Sequence, residues 1–187
     1  DYQIEGYRFG VGEKSACIVG ALRGNEIQQL YICSQLVKAL KELEAHGSIS
    51  HNHEILVIPS VNRFSMNVGK RFWPTDNSDI NRAFPGDVNG DTTKQIAGTL
   101  FDRIKGYSYG IHFASFYMPG DFIPHVKMMD TGFQSASLAN LFGLQYVVIR
   151  KPKPMDTVTL NYNWQMNGTN AFSIYTNLSL IHISEPT

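Results

Sequence analysis

Four consecutive apolar residues, Ile55-Leu56-Val57-Ile58, closed by Pro59, narrow the folds open to this chain more than any other feature. A strand with one face in water alternates apolar and polar side chains, whereas a short unbroken apolar run marks a strand covered on both faces. Covering both faces takes a layer of helices on each side of the sheet. Strand and helix signals alternate along the rest of the chain. The expected fold is therefore α/β, with three layers (α/β/α) around a mixed, largely parallel central sheet.

Tyr7-Arg8-Phe9 and Ala16-Cys17-Ile18-Val19 read as two early strands, with Gly10, Gly12 and Glu13 between them as a hairpin turn. Residues 26–46 read as a helix. Ile27, Leu30, Cys33, Val37 and Leu40 form its apolar stripe, Leu36 and Leu43 widen it, and Gly47 stops it. Residues 60–91 show no regular pattern, yet Phe64, Phe72, Trp73 and Phe84 point to an ordered loop rather than a disordered one. A second helix is expected over residues 92–105, capped by Asp91 or Thr92 and stopped by Gly106. Residues 109–115 read as a strand with Ile111 and Phe113 on one face and His112 and Ala114 on the other. A short helix over 135–142 closed by Gly143, a further buried strand over 145–149, and a last strand on Phe172-Ser173-Ile174-Tyr175 complete the pattern.

There is no internal repeat, so one incomplete domain is expected over residues 1–177. The segment Leu178-Ser179-Leu180-Ile181-His182-Ile183-Ser184-Glu185-Pro186-Thr187 reads like a translated sequencing-library adapter. It is expected to be a non-native tail and is left out of the fold. Asp1 is not an initiating methionine, which leaves the native N-terminus open.

Lys+Arg and Asp+Glu are equal at 16 each, so no net field draws the chain to nucleic acid or to an anionic membrane. No apolar run approaches the roughly 20 residues of a membrane span. Cys17 and Cys33, the only cysteines, sit in apolar patterns. They read as buried free thiols in a reducing compartment, and hence as a cytoplasmic protein.

Arg23-Gly24-Asn25-Glu26 falls where a strand hands over to a helix, the position at which open α/β sheets hold ligands. Glu26 suits a ligand role there, and equally a helix-dipole role. His112 on its strand reads either as a ligand or as a hydrogen-bonded packing residue. Arg71 and the run Asp76-Asn77-Ser78-Asp79-Ile80-Asn81-Arg82-Ala83-Phe84-Pro85-Gly86-Asp87 bring two arginines and two asparagines into one loop. Such a set can fork onto a carboxylate, or it can be a loop held by its own Asp–Arg pairs. Pro85-Gly86 suits the centre of a type II turn, with positive φ at the glycine. His46, His51 and His53 read as a solvated polar loop, and His125 as a replacement ligand only if it approaches the site.

These segments resemble the succinylglutamate desuccinylase/aspartoacylase family, a branch of the zinc carboxypeptidase fold. The resemblance runs from about Ala16 to Tyr175. It is carried by Gly24-Asn25-Glu26, Val57-Ile58-Pro59-Ser60-Val61-Asn62 and Asp79-Ile80-Asn81-Arg82-Ala83-Phe84-Pro85-Gly86. It implies zinc as cofactor, held by a His-Gly-x-Glu motif and a later Asp-x-His strand, activating water against an N-acyl amide. Glu26 and His112 fall on two metal-ligand positions. Asn81 and Arg82 match the substrate-carboxylate anchor, and Arg71 matches the arginine that polarises the scissile carbonyl. Three positions depart from the pattern: Arg23 replaces the first histidine, Gly110 the aspartate before His112, and Tyr175 the late-strand general base. A guanidinium is donor-only and cannot ligate zinc, so occupancy is expected to fall.

Two functions follow. One is a zinc-dependent deacylase for small N-acyl amino acids or related carboxylates, with a degraded metal site. The other is an inactive carboxylate-binding protein of the same fold, using Asn81, Arg82 and Arg23. In either case the partner is a small carboxylate, not nucleic acid or membrane. The sequence carries no signal for the acyl group or the oligomeric state.

Overall fold

The computed structural model describes residues 2–116 and 120–176, and the segment 178–187 lies outside the described residues. Seven strands form one sheet: β1 (Tyr7–Phe9), β2 (Glu13–Ala21), β3 (His53–Ser60), β4 (Tyr109–Ala114), β5 (His125–Met129), β6 (Tyr146–Arg150) and β7 (Asn170–Tyr175). Their order is β1-β3-β2-β4-β7-β5-β6. The contacts β2–β3, β2–β4, β4–β7 and β5–β6 are parallel, while β1–β3 and β5–β7 are antiparallel. The sheet is thus mixed and largely parallel.

Two helical layers cover it, and the period-2 alternation of the strands decides which residue meets which layer. On one face α1 (Ile27–Ala45) brings Cys33, Val37 and Leu40 against Phe9, Ile18 and Val57. On the other, α3 (Thr92–Ile104) and α4 (Leu160–Met166) bring Ile96, Leu100, Ile104 and Trp164 against Cys17, Val19 and Ile58. Val57 and Ile58, from the apolar run, therefore enter opposite clusters. Cys17 and Cys33 are buried and free, and burial pushes both thiols up, Cys33 to about 12. No described helix is long and apolar enough to cross a membrane.

The expected β1–β2 hairpin does not form. β1 instead pairs with β3, Tyr7 opposite Val57, while both edges of β2 are taken by β3 and β4. Gly10 and Gly12 have φ of 71° and 139° and run so close to Asn52 and His53 that added Cβ atoms would stand 2.3 and 2.2 Å from those carbonyl oxygens. The chain reverses direction by crossing over the start of β3, which then lies between β1 and β2.

Three further expectations need correcting. Ile27 is 64% exposed, and the buried stripe of α1 starts at Gln29, whose Nε2 donates to the Ala114 carbonyl oxygen at 3.1 Å. The strand expected to be buried over 145–149 is β6, the sheet edge, with Tyr146, Val148 and Ile149 exposed because no described strand lies beyond it. The short helix after Ser135 is a 3-10 segment, Ala136–Phe142, closed by Gly143 at φ 64°. By contrast, α1 and α3 end where Gly47 and Gly106 take positive φ, and Asp91 caps α3 through Lys94 N.

The 60–91 segment is ordered, with a short α2 (Arg63–Asn67) and with Trp73, Ile80 and Phe84 in the core. Gly86 takes the expected positive φ, 96°, after a cis Phe84–Pro85 peptide. A Cβ at Gly86 would stand 2.1 Å from Gly98 N, so only a glycine lets this loop lie on α3.

Candidate functional site

The carboxyl ends of β2, β4 and β7 open on a cleft of about 350 Å³, the place where sheets of this kind hold ligands. Arg23, Arg71, Asn81, Arg82 and His112 all line it. Residues scattered over 90 positions of sequence converge because the turn after β2 is fastened to the 71–82 loop. Gly24 N donates to the Arg71 carbonyl oxygen at 3.0 Å, and a Cβ at Gly24 would meet Lys70 O at 2.0 Å.

Glu26 is the residue preceding α1, and it is only 2% exposed. Its side chain does not cap that helix. Oε2 accepts from the Leu22 and Arg23 amides at 2.9 and 3.2 Å, and Oε1 from Arg23 Nη1 and Ser115 Oγ at 3.2 and 3.0 Å. The Arg23 guanidinium is shared with a second carboxylate. Nη2 lies 2.8 Å from Asp79 Oδ2, and Nε contacts both Asp79 oxygens at 3.2 Å. Burial works against the charge on Arg23, but Asp79 and Glu26 outweigh it and raise its pKa. An arginine expected to meet a ligand thus already has two anionic partners. The internal Asp–Arg reading of the loop is half met: Asp79 pairs with an arginine, but with one from outside the loop.

His112, 3% exposed, has Nε2 buried without a hydrogen-bond partner. Burial pushes its pKa down to about 4, against the opposing Glu26 charge and with the Arg23 charge adding to the lowering, so it is neutral at pH 7. Asn81 is oriented by Leu160 N, which donates to its Oδ1 at 3.0 Å and leaves its amide N–H groups as donors. Arg82 is exposed and donates to the Met155 carbonyl oxygen at 3.1 Å. Arg71 is exposed, its guanidinium 5.1 Å from the Phe72 ring. His125 does not line the cleft; it stacks on Tyr175 at 4.8 Å and bonds to Ile123 O. His53 bonds to Ser15 Oγ at the other end of β3.

Sequence reasoning missed the far wall. Lys127, Arg150, Asp156, Asn161 and Ser173 all line the cleft, on or beside β5, β6, β7 and α4. Arg150 grips Asp156 with two bonds of 2.6 and 2.7 Å, and this fork holds the Asp156 carboxyl down at about 2. The alternation of buried Val126 and Met128 around Lys127 was the signal available for β5. α4 gave none: Asn161, Asn163 and Gln165 are buried because they bond to Ser173 Oγ, the Thr159 carbonyl and the Met129 carbonyl, not because they are apolar.

The three-layer α/β/α fold is that of carboxypeptidase-like solved structures. The metallo-carboxypeptidase from Pseudomonas aeruginosa in complex with (2-guanidinoethylmercapto)succinic acid superposes with a TM-score of 0.70 at 12% identity, over 92% of this chain and 51% of that one. Within the class, the succinylglutamate desuccinylase/aspartoacylase catalytic domain matches residues 13–174, and the chain belongs to that family. The succinylglutamate desuccinylase/aspartoacylase from Rhodobacter sphaeroides superposes with a TM-score of 0.74 at 19% identity, over 96% of this chain and 55% of that one. Over 90 residues, 48% of this chain and 24% of the relative, it is 28% identical to the N-alpha-acetyl-L-2,4-diaminobutyric acid deacetylase of Halomonas elongata. The chain spans about half the length of those two solved structures. Its fold is that of deacylase and carboxypeptidase-like hydrolases.

Proposed function

We propose that this chain binds a small carboxylate in the cleft of a deacylase-family fold whose metal centre is degraded, with little or no hydrolysis. One observation carries the reading. At the first metal-ligand position of the family motif stands Arg23, clamped between Glu26 and Asp79.

In this family zinc would polarise the scissile carbonyl and activate water, and the donors on offer are His112 and Glu26. Both Glu26 oxygens already accept two hydrogen bonds each, one of them from a guanidinium. His112 Nε2 is available, but among the described residues no group of three His, Cys, Asp or Glu side chains is arranged to hold a metal. This donor set does not fit a zinc ion, which needs about three protein ligands. Burial raises the Tyr175 pKa, so that residue stays a phenol at neutral pH and makes a poor general base.

Carboxylate binding needs none of this. The donors of Asn81, Arg82 and Arg71 face the cleft, and neutral His112 adds a ring nitrogen. A second reading, a zinc-dependent deacylase, is favoured by that unpartnered His112 nitrogen. Metal analysis of the purified protein, alongside calorimetry and amine-release assays with N-acetyl amino acids, separates the two. We expect well under one zinc per chain and binding without turnover. Stoichiometric zinc with turnover would establish the second reading.

A further inference from the structure

We propose that a second site, separate from the cleft, takes a medium-chain fatty acid: a groove between β1 and α3 with an apolar floor and a cationic end. It encloses about 430 Å³ and shares no lining residue with the cleft.

Strand alternation builds the floor. Arg8 pairs with Leu56, and the period of two puts Ile58 on the same face of β3. Leu100 of α3 and Tyr107 pack on that face, and Ile4, in the segment before β1, joins the same cluster. Leu56 and Ile4 stay partly exposed, which leaves apolar surface for a ligand to cover. Between the levels of Glu54 and Ile58, β3 rises about 13 Å, the length of an extended decanoate.

The cations gather at one end. Lys14 stands opposite Glu54 in the β2–β3 register, and Arg103 lies in the last turn of α3. Ser108 N donates to the Lys14 carbonyl oxygen at 2.9 Å, which brings the exit of α3 to that end. The carboxylates there are Glu13, Glu54 and Asp102. Glu54 is held by Arg8 at 3.1 Å and by the Tyr107 hydroxyl at 2.6 Å, Asp102 is held by Lys105 at 2.6 Å, and Glu13 does not line the groove. Arg8, Lys14, Arg103 and Lys105 outnumber these three, and neither Lys14 nor Arg103 has an ion-pair partner among the described residues. The Lys14 ammonium lies 5.3 Å from the Tyr107 ring, at the head of the apolar floor. A ligand that meets both features has an anionic head and an unbranched apolar tail.

Calorimetry and amide NMR on the full chain with hexanoate, octanoate and decanoate, each below its micelle-forming concentration, test the site. Affinity should rise about five-fold for every two added methylenes, and octanoate should bind about five-fold more tightly than octyltrimethylammonium. Amide shifts should include Leu56, Leu100 and Arg103. Lys14→Gln combined with Arg103→Gln, both at exposed positions, should remove the preference for the anion and keep the dependence on chain length. Affinity independent of chain length, an ammonium bound as tightly as the carboxylate, or shifts confined to His112 and Ser173 in the cleft would each overturn the groove site. A preference for the anion that survives the double variant overturns it as well. None of these results bears on carboxylate binding in the cleft.

Discussion

Gly110 lies against the indole of Trp164 so closely that a Cβ built on it would stand 2.6 Å from both Cδ2 and Cε3. The indole has little room to yield, because it is fully buried and its Nε1 donates to the Ile104 carbonyl oxygen at 3.0 Å. The aspartate that the sequence resemblance implies two residues before His112 therefore has no space in this fold. Gly110→Ala should destabilise the protein by about 1–3 kcal/mol through overpacking, and Gly110→Asp by more, since a carboxylate would also be buried without a partner. Urea unfolding measures both. An unchanged midpoint for Gly110→Ala would mean that the indole shifts freely.

Replacing Arg23 by His removes the guanidinium that bridges Glu26 and Asp79 and adds an imidazole at the proposed first ligand position. Zinc content per chain should rise above that of the unmodified protein, with His112 Nε2 as a further donor. Hydrolysis should stay low, because Tyr175 supplies no base. Zinc content unchanged by the substitution would count against Arg23 as the obstacle.

The Arg150–Asp156 fork makes stability pH-dependent. The Asp156 carboxyl is held at about 2, below its usual 3.8, so the folded state favours the carboxylate. Its contribution is complete above about pH 4 and is lost as pH falls toward 2. With the Arg150 side chain about a third exposed, it is of the order of 1–2 kcal/mol. Arg150→Met should thus be less stable at pH 7 by roughly that amount, and the gap should close between pH 4 and pH 2 in urea titrations. A gap independent of pH would assign the loss to packing instead.

Arg82 is exposed, donates to the Met155 carbonyl and lies near the Asp156 carboxylate, so its worth to a bound carboxylate is that of a partly solvated pair. Arg82→Ala should weaken monocarboxylate binding by about 1 kcal/mol, roughly five-fold, with little change in the thermal midpoint. Calorimetry that finds no weakening would remove Arg82 from the anchor.

The three-layer fold was legible because its signals are local. Continuous apolar residues in β3, period-2 alternation in β4, and the glycines that end α1 and α3 each act within a few positions of themselves. The motif residues of the 71–82 loop were legible for the same reason: a compact run of donors is visible as a run. β5, at five residues, and α4, at seven, were not, being short and, in α4, polar where helices of this kind are expected to be apolar.

What the sequence determined by itself, then, is that β3 is covered on both faces, where α1 and α3 stop, and which donors the anchor loop carries. Tertiary structure alone decided that β1 pairs with β3, that β6 is an exposed edge, and that Lys127 stands across Ser173 from His112. It also decided the state of Arg23, whose second carboxylate comes from Asp79, 56 positions along the chain. Charge pairing and strand order depend on distances in space between residues remote in sequence, and no local pattern encodes those distances.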